Sequence, residues 1–340
     1  MKKDFLNFIL CPICKKSDFE FQSNVENDLE TRDGQLLCLH CRTIFLIKEG
    51  ILFFDKNINP ESQKEKRVWE EERDKQKNLL SFQDAGWVLN YPFNEQFYPD
   101  SKDSRIVRLN TQNVLLFLEK INWPKETKIL EIGAGSCWLT AKLAAQYKCV
   151  ALDILDKFPI GLETADIFIK HRGVFFERII ADMQNLPFSD QKFDIILINA
   201  ALHHSPDLMK TLREIDRILV PNGQLILLNE PSRGWLGSRE RGRVLQSVEQ
   251  GLNENRYTIR GWINFFKKAG FGAKIYLPFN FMEILSSRGK FLGLTSYLFK
   301  ALPGFLKRII INNFGLAVLT VFDGFFNAVI YKDKKKIFKI

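Results

Sequence analysis

The sequence lacks the segments that would direct it into a secretory route or across a membrane. Its short apolar N-terminal patch ends at Cys11 and Pro12 with no small-residue cleavage site, so a signal peptide is not predicted. The apolar stretch 315–330 falls short of the ~20 residues that a spanning helix needs. Internal repeats and low-complexity tracts are also absent. These absences lead us to expect a cytoplasmic protein.

Net positive charge is scarce outside the C-terminal end. The formal net charge of the 340 residues is +9, but residues 284–340 hold ten Lys or Arg and two Asp, which leaves +1 for residues 1–283. Binding of nucleic acid would draw Lys and Arg to the binding surface. The charge distribution therefore disfavours RNA as a partner, while the length suggests two or three domains.

Cysteine is scarce too, yet four of the six cysteines form two Cys-x-x-Cys pairs separated by 23 residues. Four thiolates complete the tetrahedral shell of a structural zinc ion. In a reducing compartment this pattern indicates a metal more often than a disulfide, with a redox dithiol as the alternative. The predicted zinc ligands are Cys11, Cys14, Cys38 and Cys41.

From about residue 111 the hydrophobic pattern alternates between strands and helices. This alternation predicts an α/β fold with a doubly wound, mostly parallel sheet. Helices are predicted at 138–147 and 208–219. The predicted strands are 128–132, 149–153, 175–182, 193–198 and 224–228.

The loop after the first of these strands has no third glycine. Gly133 and Gly135 allow a sharp turn and a close approach of a ligand to the backbone. A nicotinamide-binding loop would also have glycine where this sequence has Trp138, so NAD is disfavoured. Asp153 ends the next strand, where a carboxylate can accept hydrogen bonds from two ribose hydroxyls. Each residue also suits a structural role, and it is their succession at strand ends that indicates a nucleotide-like cofactor.

Five successive motifs resemble those of class I S-adenosylmethionine (SAM)-dependent methyltransferases, the UbiE-like, type 11 subgroup in particular. These motifs are EIGAGS at 131–136, D at 153, DM at 182–183, NAALHH at 199–204 and VPNGQ at 220–224. The resemblance covers roughly residues 111–275 and implies a Rossmann-like fold with a seven-stranded sheet. It implies these cofactor-binding residues: Glu131, Gly133, Ala134, Gly135, Asp153, Asp182, Met183 and Asn199.

The resemblance also implies roles for parts of this set. Glu131 and the two glycines would shape the methionine pocket, and Asp153 would bind ribose. Asp182 and Met183 would hold the adenine, and Asn199 would lie beside the transferred methyl group.

Two histidines are the catalytic candidates. His203 and His204 follow the fourth strand, at the edge where doubly wound folds place their sites. Either imidazole could act as a general base on an acceptor hydroxyl, or both could pack against or cap the next helix. The Asn/Asp-Pro-Pro-Tyr motif of amino-methylating nucleic-acid enzymes is absent there, as is the cysteine of enzymes that methylate pyrimidine C5.

The N-terminal residues resemble the Trm112-like zinc ribbon family over residues 1–55, with Lys15 where a zinc knuckle often has glycine. A closed four-thiolate site implies a structural metal without catalysis. The predicted organisation is a zinc ribbon at 1–58, a charged helical linker with a lid at 59–110, the methyltransferase domain at 111–280 and an apolar, basic extension at 281–340.

The acceptor is predicted from weaker features. Polar residues at 229–234 and 249–257 suit a polyhydroxylated molecule such as a sugar. The tail 305–340, predicted as helical, would either lie on an anionic membrane or pack on the core. A small-molecule, saccharide or lipid-linked glycan acceptor is expected, with an rRNA or tRNA methyltransferase and a non-catalytic Trm112-like activator as alternatives. The oligomeric state is not predicted.

Overall fold

One sheet of eleven strands runs through the residues that the structure, a computed structural model, describes: 1–77, 88–89, 102–157, 161–234, 252–286 and 324–332. The strands are β1 (Phe19–Glu26), β2 (Thr31–Cys38), β3 (Ile44–Lys48), β4 (Ile51–Phe53), β5 (Lys128–Ile132), β6 (Lys148–Asp153), β7 (Glu177–Ile180), β8 (Phe193–Asn199), β9 (Leu219–Ser232), β10 (Gly272–Tyr276) and β11 (Gly324–Tyr331). The helices are α1 (Pro60–Lys77), α2 (Lys102–Leu118), α3 (Trp138–Leu143), α4 (Ala165–Arg172), α5 (Leu208–Ile218), α6 (Ile259–Lys268) and α7 (Phe281–Ser286).

Seven of the strands form the predicted doubly wound part in the order β7-β6-β5-β8-β9-β11-β10. Pairing is parallel from β7 to β9, and β11 lies antiparallel between β9 and β10. Apolar side chains of β5 bury on both faces, with Leu130 in one hydrophobic cluster and Ile129 in the other. Such two-sided burial is what a parallel strand between two helix layers requires. The predicted α/β fold with a mostly parallel seven-stranded sheet is confirmed.

Chain connectivity reverses direction between β5 and β8. From β5 the sheet grows through β6 and β7 on one side and through β8 and β9 on the other. This reversal lies at the carboxyl ends of β5 and β8, which is the position where open α/β sheets bind their ligands.

The helix predicted for the apolar tail is wrong over its last part, because Gly324–Tyr331 is strand β11. Residues 326–331 are buried between β9 and β10. A strand that is buried on both faces has a continuous apolar run, and periodicity alone does not distinguish such a run from a buried helix. The rest of the extension, 287–323 and 333–340, lies outside the described residues, so the predicted membrane contact of 305–340 stays a prediction.

The N-terminal strands continue the same sheet. β1 to β4 pair antiparallel, and β4 then pairs parallel with β7, with Ile51 opposite Arg178. Arg178 is buried and forms ion pairs with Glu30 of the N-terminal unit and with Asp166 of α4. Backbone pairing and buried charges therefore both join the N-terminal unit to the doubly wound sheet.

Over the described residues, no helix combines the length and the apolar character needed to cross a membrane. Of the linker and lid predicted at 59–110, residues 78–87 and 90–101 lie outside the described residues, and the described part includes α1 and the start of α2.

Candidate functional site

A cleft opens at the carboxyl ends of β5 to β8. It is lined by Ser62, Glu65, Trp69, Ile132, Gly133, Gly135, Leu152, Asp153, Ile154, Leu155, Ala181, Asp182, Met183, Ala201, His204 and Pro206. Five of the predicted cofactor residues and one of the two predicted histidines are thus brought together at one surface.

The glycine loop forms the floor of the cleft. Gly133 and Gly135 have φ of 74° and 50°, in the left-handed region that favours glycine. A Cβ on Gly133 would lie 2.4 Å from the Cβ of Ala201, which follows β8. The loop is tied to the neighbouring strand because the amides of Gly133 and Ala134 donate to the carbonyl of Leu152, at 2.9 and 3.2 Å. Ala134 contributes this backbone contact and does not line the cleft.

Asp153 is fixed at the wall of the cleft by three backbone amides. One carboxylate oxygen accepts from the amide of Gly135 at 2.7 Å, and the other accepts from Ile154 at 2.7 Å and Leu155 at 2.9 Å. Burial raises the pKa of Asp153, and these three hydrogen bonds act in the opposite direction. The carboxylate is held in one orientation and retains acceptor capacity for a ligand hydroxyl.

Glu131 lies behind the glycine loop and not among the residues that line the cleft. Its side chain is buried and accepts a hydrogen bond from the Thr140 hydroxyl on α3. Burial raises the pKa of Glu131 to about 8, so its carboxyl holds a proton at neutral pH. The structure gives Glu131 a position that supports the loop from below.

Asp182 and Met183 also line the cleft, after β7. One Asp182 oxygen accepts from the amide of Asn59 at 2.7 Å, and the other accepts from the amide of Gln184 at 2.8 Å. Asn59 directly precedes α1, so Asp182 also positions the start of that helix. Met183 presents an apolar side chain beside this polar group.

Asn199 belongs to a network of asparagines at the end of β8 and is not among the lining residues of the cleft. Its side-chain oxygen accepts from Asn229 at 2.9 Å. Asn229 has φ of 55° and in turn accepts from Asn113 of α2 at 2.7 Å. The network links β8, β9 and α2 beside the cleft.

The two predicted histidines lie in a cluster with three glutamates. Buried Glu230 accepts from the amides of Ala201 and Leu202, at 2.9 and 2.8 Å, and lies 3.0 Å from Nδ1 of His203. The rings of His203 and His204 are 4.1 Å apart between centroids. Only His204 lines the cleft.

The His204 ring is held in place by Glu65 and by the backbone of Asn253. Its Nδ1 lies 2.8 Å from a carboxylate oxygen of Glu65 and 2.9 Å from the carbonyl oxygen of Asn253. Burial lowers the pKa of His204, but Glu65, Glu254 and Glu230 together raise it above the ordinary value. The third glutamate, Glu254, has a carboxylate oxygen 4.0 Å from Nε2 of His203.

Helix α1 supplies cleft residues that the sequence reading missed. The dense charges of residues 60–80 predicted a solvated linker, yet Ser62, Glu65 and Trp69 line the cleft, and Ser62 and Glu65 are buried. Their spacing of three and four residues places them on one helix face. This spacing could have indicated a buried helix face in the sequence, but the many charged residues around it obscured the pattern.

The four predicted zinc ligands form a compact cluster, with their sulfur atoms within 4.8 Å of one another. The Sγ atoms of Cys11 and Cys41 are 3.5 Å apart, as are those of Cys14 and Cys38. A tetrahedral Zn–S length of about 2.3 Å places thiolates about 3.8 Å apart, so the donor set fits zinc. Lys15 has φ of 59°, as its position in a knuckle requires.

Comparison with known proteins gives two family matches. The family model described as a methyltransferase domain matches residues 130–227, and that of Trm112p-like proteins matches residues 2–50. A demethylmenaquinone methyltransferase of Corynebacterium efficiens is 32% identical over 175 residues, which are 45% of this chain and 72% of that protein.

Two further matches involve one protein of Bacillus subtilis, the uncharacterized methyltransferase YcgJ. It is 30% identical over 139 residues, which are 40% of this chain and 52% of that protein. The chain therefore spans about half the length of this relative. The solved structure of YcgJ aligns with 65% of this chain and 96% of its own, at 17% identity and a TM-score of 0.40.

Proposed function

The chain belongs to the UbiE-like family of class I SAM-dependent methyltransferases and has an N-terminal Trm112-like ribbon, and on this premise we propose that it methylates a saccharide or another small polyhydroxylated molecule. A lipid-linked glycan is included in this proposal as a larger acceptor with the same chemistry.

The observation that carries the proposal is the acidic character of the cleft. Glu65, Asp153 and Asp182 line it, and none of its described lining residues is Lys or Arg. SAM has a sulfonium and an ammonium group, so an acidic cleft favours it electrostatically. In the proposed mode Asp153 binds the ribose hydroxyls, while Asp182 and Met183 hold the adenine.

The acceptor would approach from the side of the histidine pair. The polar segment 252–257 contacts this pair, since the Asn255 amide donates to the carbonyl of His203 at 3.1 Å. The Asn255 side chain donates to the carbonyl of Ser205 at 3.0 Å. Amide and carboxylate groups at this position support recognition of several hydroxyls. The roles of His203 and His204 as general bases stay predictions.

The carboxylates of the cleft and their fixed positions disfavour the two alternative functions, an RNA methyltransferase and a non-catalytic activator. An RNA acceptor would be repelled by carboxylates at the mouth of the site. A non-catalytic activator does not need a cofactor cleft, whereas this cleft fixes the Asp153 carboxylate through three backbone amides. In both alternatives the four cysteines would keep the structural zinc role that we propose for them.

Calorimetric titration of the zinc-loaded protein with SAM tests the cofactor site. We expect binding that Asp153→Ala weakens by about tenfold or more, a loss of about 1.4 kcal/mol or more. Exposed Asp28 offers a matched control, and Asp28→Ala should bind SAM like the wild type. Equal affinity of the Asp153→Ala variant would refute the site assignment.

Transfer of labelled methyl groups from SAM to a panel of acceptors tests the acceptor class. The panel contains free saccharides, a lipid-linked glycan, tRNA and rRNA. The proposal requires label in one of the first two classes, and label in RNA alone would refute it.

A further inference from the structure

We propose that His203, His204 and Glu254 form a binding site for one divalent cation beside the SAM cleft. One ligand atom of each residue lies within 4.8 Å of the others. Two imidazoles and a carboxylate are a donor set suited to ions such as Fe²⁺, Co²⁺ or Zn²⁺. This site is separate from the four cysteines of the N-terminal unit.

The histidine rings have the orientation that metal ligands need. Nδ1 of His203 lies 3.0 Å from Glu230, and Nδ1 of His204 lies 2.8 Å from Glu65. Metal-binding histidines commonly donate one ring N–H to a carboxylate and present the other nitrogen to the ion. With Nδ1 of each ring engaged by a carboxylate, Nε2 is the nitrogen that each ring would offer to an ion.

The spacing of the donors fits a shared ion. Nε2 of His203 is 4.0 Å from a carboxylate oxygen of Glu254. This distance is too long for a hydrogen bond and lies below the limit of about 4.2 Å for two atoms that are each about 2.1 Å from one ion. A bound ion would draw the two atoms closer, toward the separation of about 3.4 Å of a tetrahedral pair.

The charge of the cluster also favours a cation. Glu65, Glu230 and Glu254 converge on the two rings, and Glu230 has no exposed surface. The guanidinium of Arg256 approaches Glu254 only to 3.8 Å. Several carboxylates in a buried setting are costly without compensation, and a divalent cation would offset this cost.

The chemical role of this metal site rests on the proposed function, because the ion would bind the acceptor of the methyl group. His204 and Glu65 line the cleft, so the cation would lie where the acceptor meets the methyl group. Three protein ligands leave positions open for acceptor oxygens. A bound hydroxyl would release its proton to solvent, and its oxygen would form a bond to the methyl carbon as the carbon–sulfur bond breaks. The sulfur keeps the electron pair, and S-adenosylhomocysteine results.

Titration of the zinc-loaded full chain with Co²⁺ tests the site directly. We expect one additional ion per chain, with the weak visible bands of a nitrogen and oxygen environment. Co²⁺ that replaced zinc at the cysteines would show strong thiolate charge-transfer bands instead, so the spectrum distinguishes the two sites.

Variants decide whether the cluster is the ligand set. Glu254→Gln and His203→Asn should each weaken Co²⁺ binding by about tenfold or more, or about 1.4 kcal/mol. Exposed His171 on α4 is the control, because His171→Ala removes a histidine elsewhere and should bind normally. A wild type that takes up no additional ion, or variants that bind as tightly as the wild type, would overturn the proposal.

SAM titration and melting temperature, measured on the same samples, separate the possible failures. Co²⁺ binding without SAM binding would refute the proposed function and leave the metal site standing. SAM binding without Co²⁺ uptake would do the reverse. Variants that keep the wild-type melting temperature show that any loss of the ion is not a loss of the fold.

Discussion

At the scale of single residues, Gly133 decides how closely the loop after β5 can approach the loop after β8. Gly133→Ala would place a Cβ 2.4 Å from Ala201 and force a left-handed φ on alanine. The left-handed conformation alone costs about 1 to 2 kcal/mol, and the displaced loop should weaken SAM binding by about tenfold or more. Calorimetric SAM titration and chemical denaturation measure the two effects.

Gly173 provides the matched control for this substitution. Its φ is 63°, and a Cβ there would have no heavy atom within 4 Å. Gly173→Ala should therefore cost the backbone strain and leave SAM affinity unchanged. Equal SAM affinities of the two variants would mean that the contact with Ala201 does not shape the site.

Glu131 gives the protein a pH-dependent stability. The ordinary pKa of the carboxyl is 4.5, and burial raises it to about 8 in the folded state. The folded state therefore binds more protons between these pH values, and its contribution to stability is full below pH 4.5 and falls as pH rises toward 8. One proton contributes a slope of up to about 1.4 kcal/mol per pH unit.

Glu131→Gln should remove this slope, because an amide keeps an oxygen for the Thr140 hydroxyl and does not ionise. The free energy of unfolding, measured by denaturant titration from pH 5 to 8, should fall less steeply in the variant than in the wild type. Glu20→Gln, at an exposed position of β1, should leave the wild-type slope intact. Parallel wild-type and Glu131→Gln curves would show that Glu131 is ionised in the folded protein.

Sequence reasoning at the residue scale succeeds where a residue type is tied to a backbone position. Gly133, Asp153 and Asp182 lie at strand ends, and strand ends are readable from hydrophobic periodicity. The side chains of Glu131 and Asn199 bond within the protein and do not line the cleft, and their cofactor-binding roles stay predictions. Which direction a side chain takes depends on tertiary neighbours that no local pattern specifies.

At the scale of elements, the buried side chain of Asn113 links α2 to β9 and β11. Asn113 donates to Asn229 at 2.7 Å and Asn327 at 2.9 Å, and accepts from Phe279 at 2.7 Å and Asn327 at 3.0 Å. Asn113→Ala would leave several of these buried groups unpaired, at a cost of about 2 to 4 kcal/mol.

Denaturant unfolding measures that cost, and the adjacent exposed Gln112 supplies the control. Gln112→Ala changes the same helix and, among the described residues, removes one long contact, at 3.4 Å to Asn280. It should alter the free energy of unfolding by less than about 0.5 kcal/mol. If both variants lost equal stability, helix propensity rather than the network would be the cause.

The same network explains why β11 escaped sequence prediction. Asn327 of β11 occupies a bulge between Phe326 and Ala328 opposite β9. In the sequence this polar residue interrupts an apolar run, and the tail that contains it was predicted as helical. Its actual partner, Asn113, is 214 residues away, and a pairing at that distance leaves no local pattern.

At the scale of the whole molecule, the N-terminal unit and the catalytic sheet share one set of backbone hydrogen bonds. β4 covers the edge of β7 and buries the Arg178–Glu30 ion pair. Each of the two parts resembles a different family, so sequence comparison treats them as separate units. The sheet that joins them depends on the pairing of two short strands, β4 and β7. We therefore expect the four-thiolate metal site to stabilise the edge of the catalytic sheet as well as its own unit.

Removal of the metal by a chelator should expose that edge. Hydrogen exchange should accelerate in β7 at 177–180, since the amides that face β4 would lose their partners. β10 at 272–276 lies at the opposite edge of the sheet and serves as the internal control, with unchanged exchange. Exposed His40, which lies 2.6 Å from Asp18, allows a test within the ribbon, because His40→Asn should leave exchange in β7 at the wild-type rate. Unchanged protection of β7 after complete removal of the metal would mean that β4 stays paired without it, and that the ribbon fold does not depend on the ion.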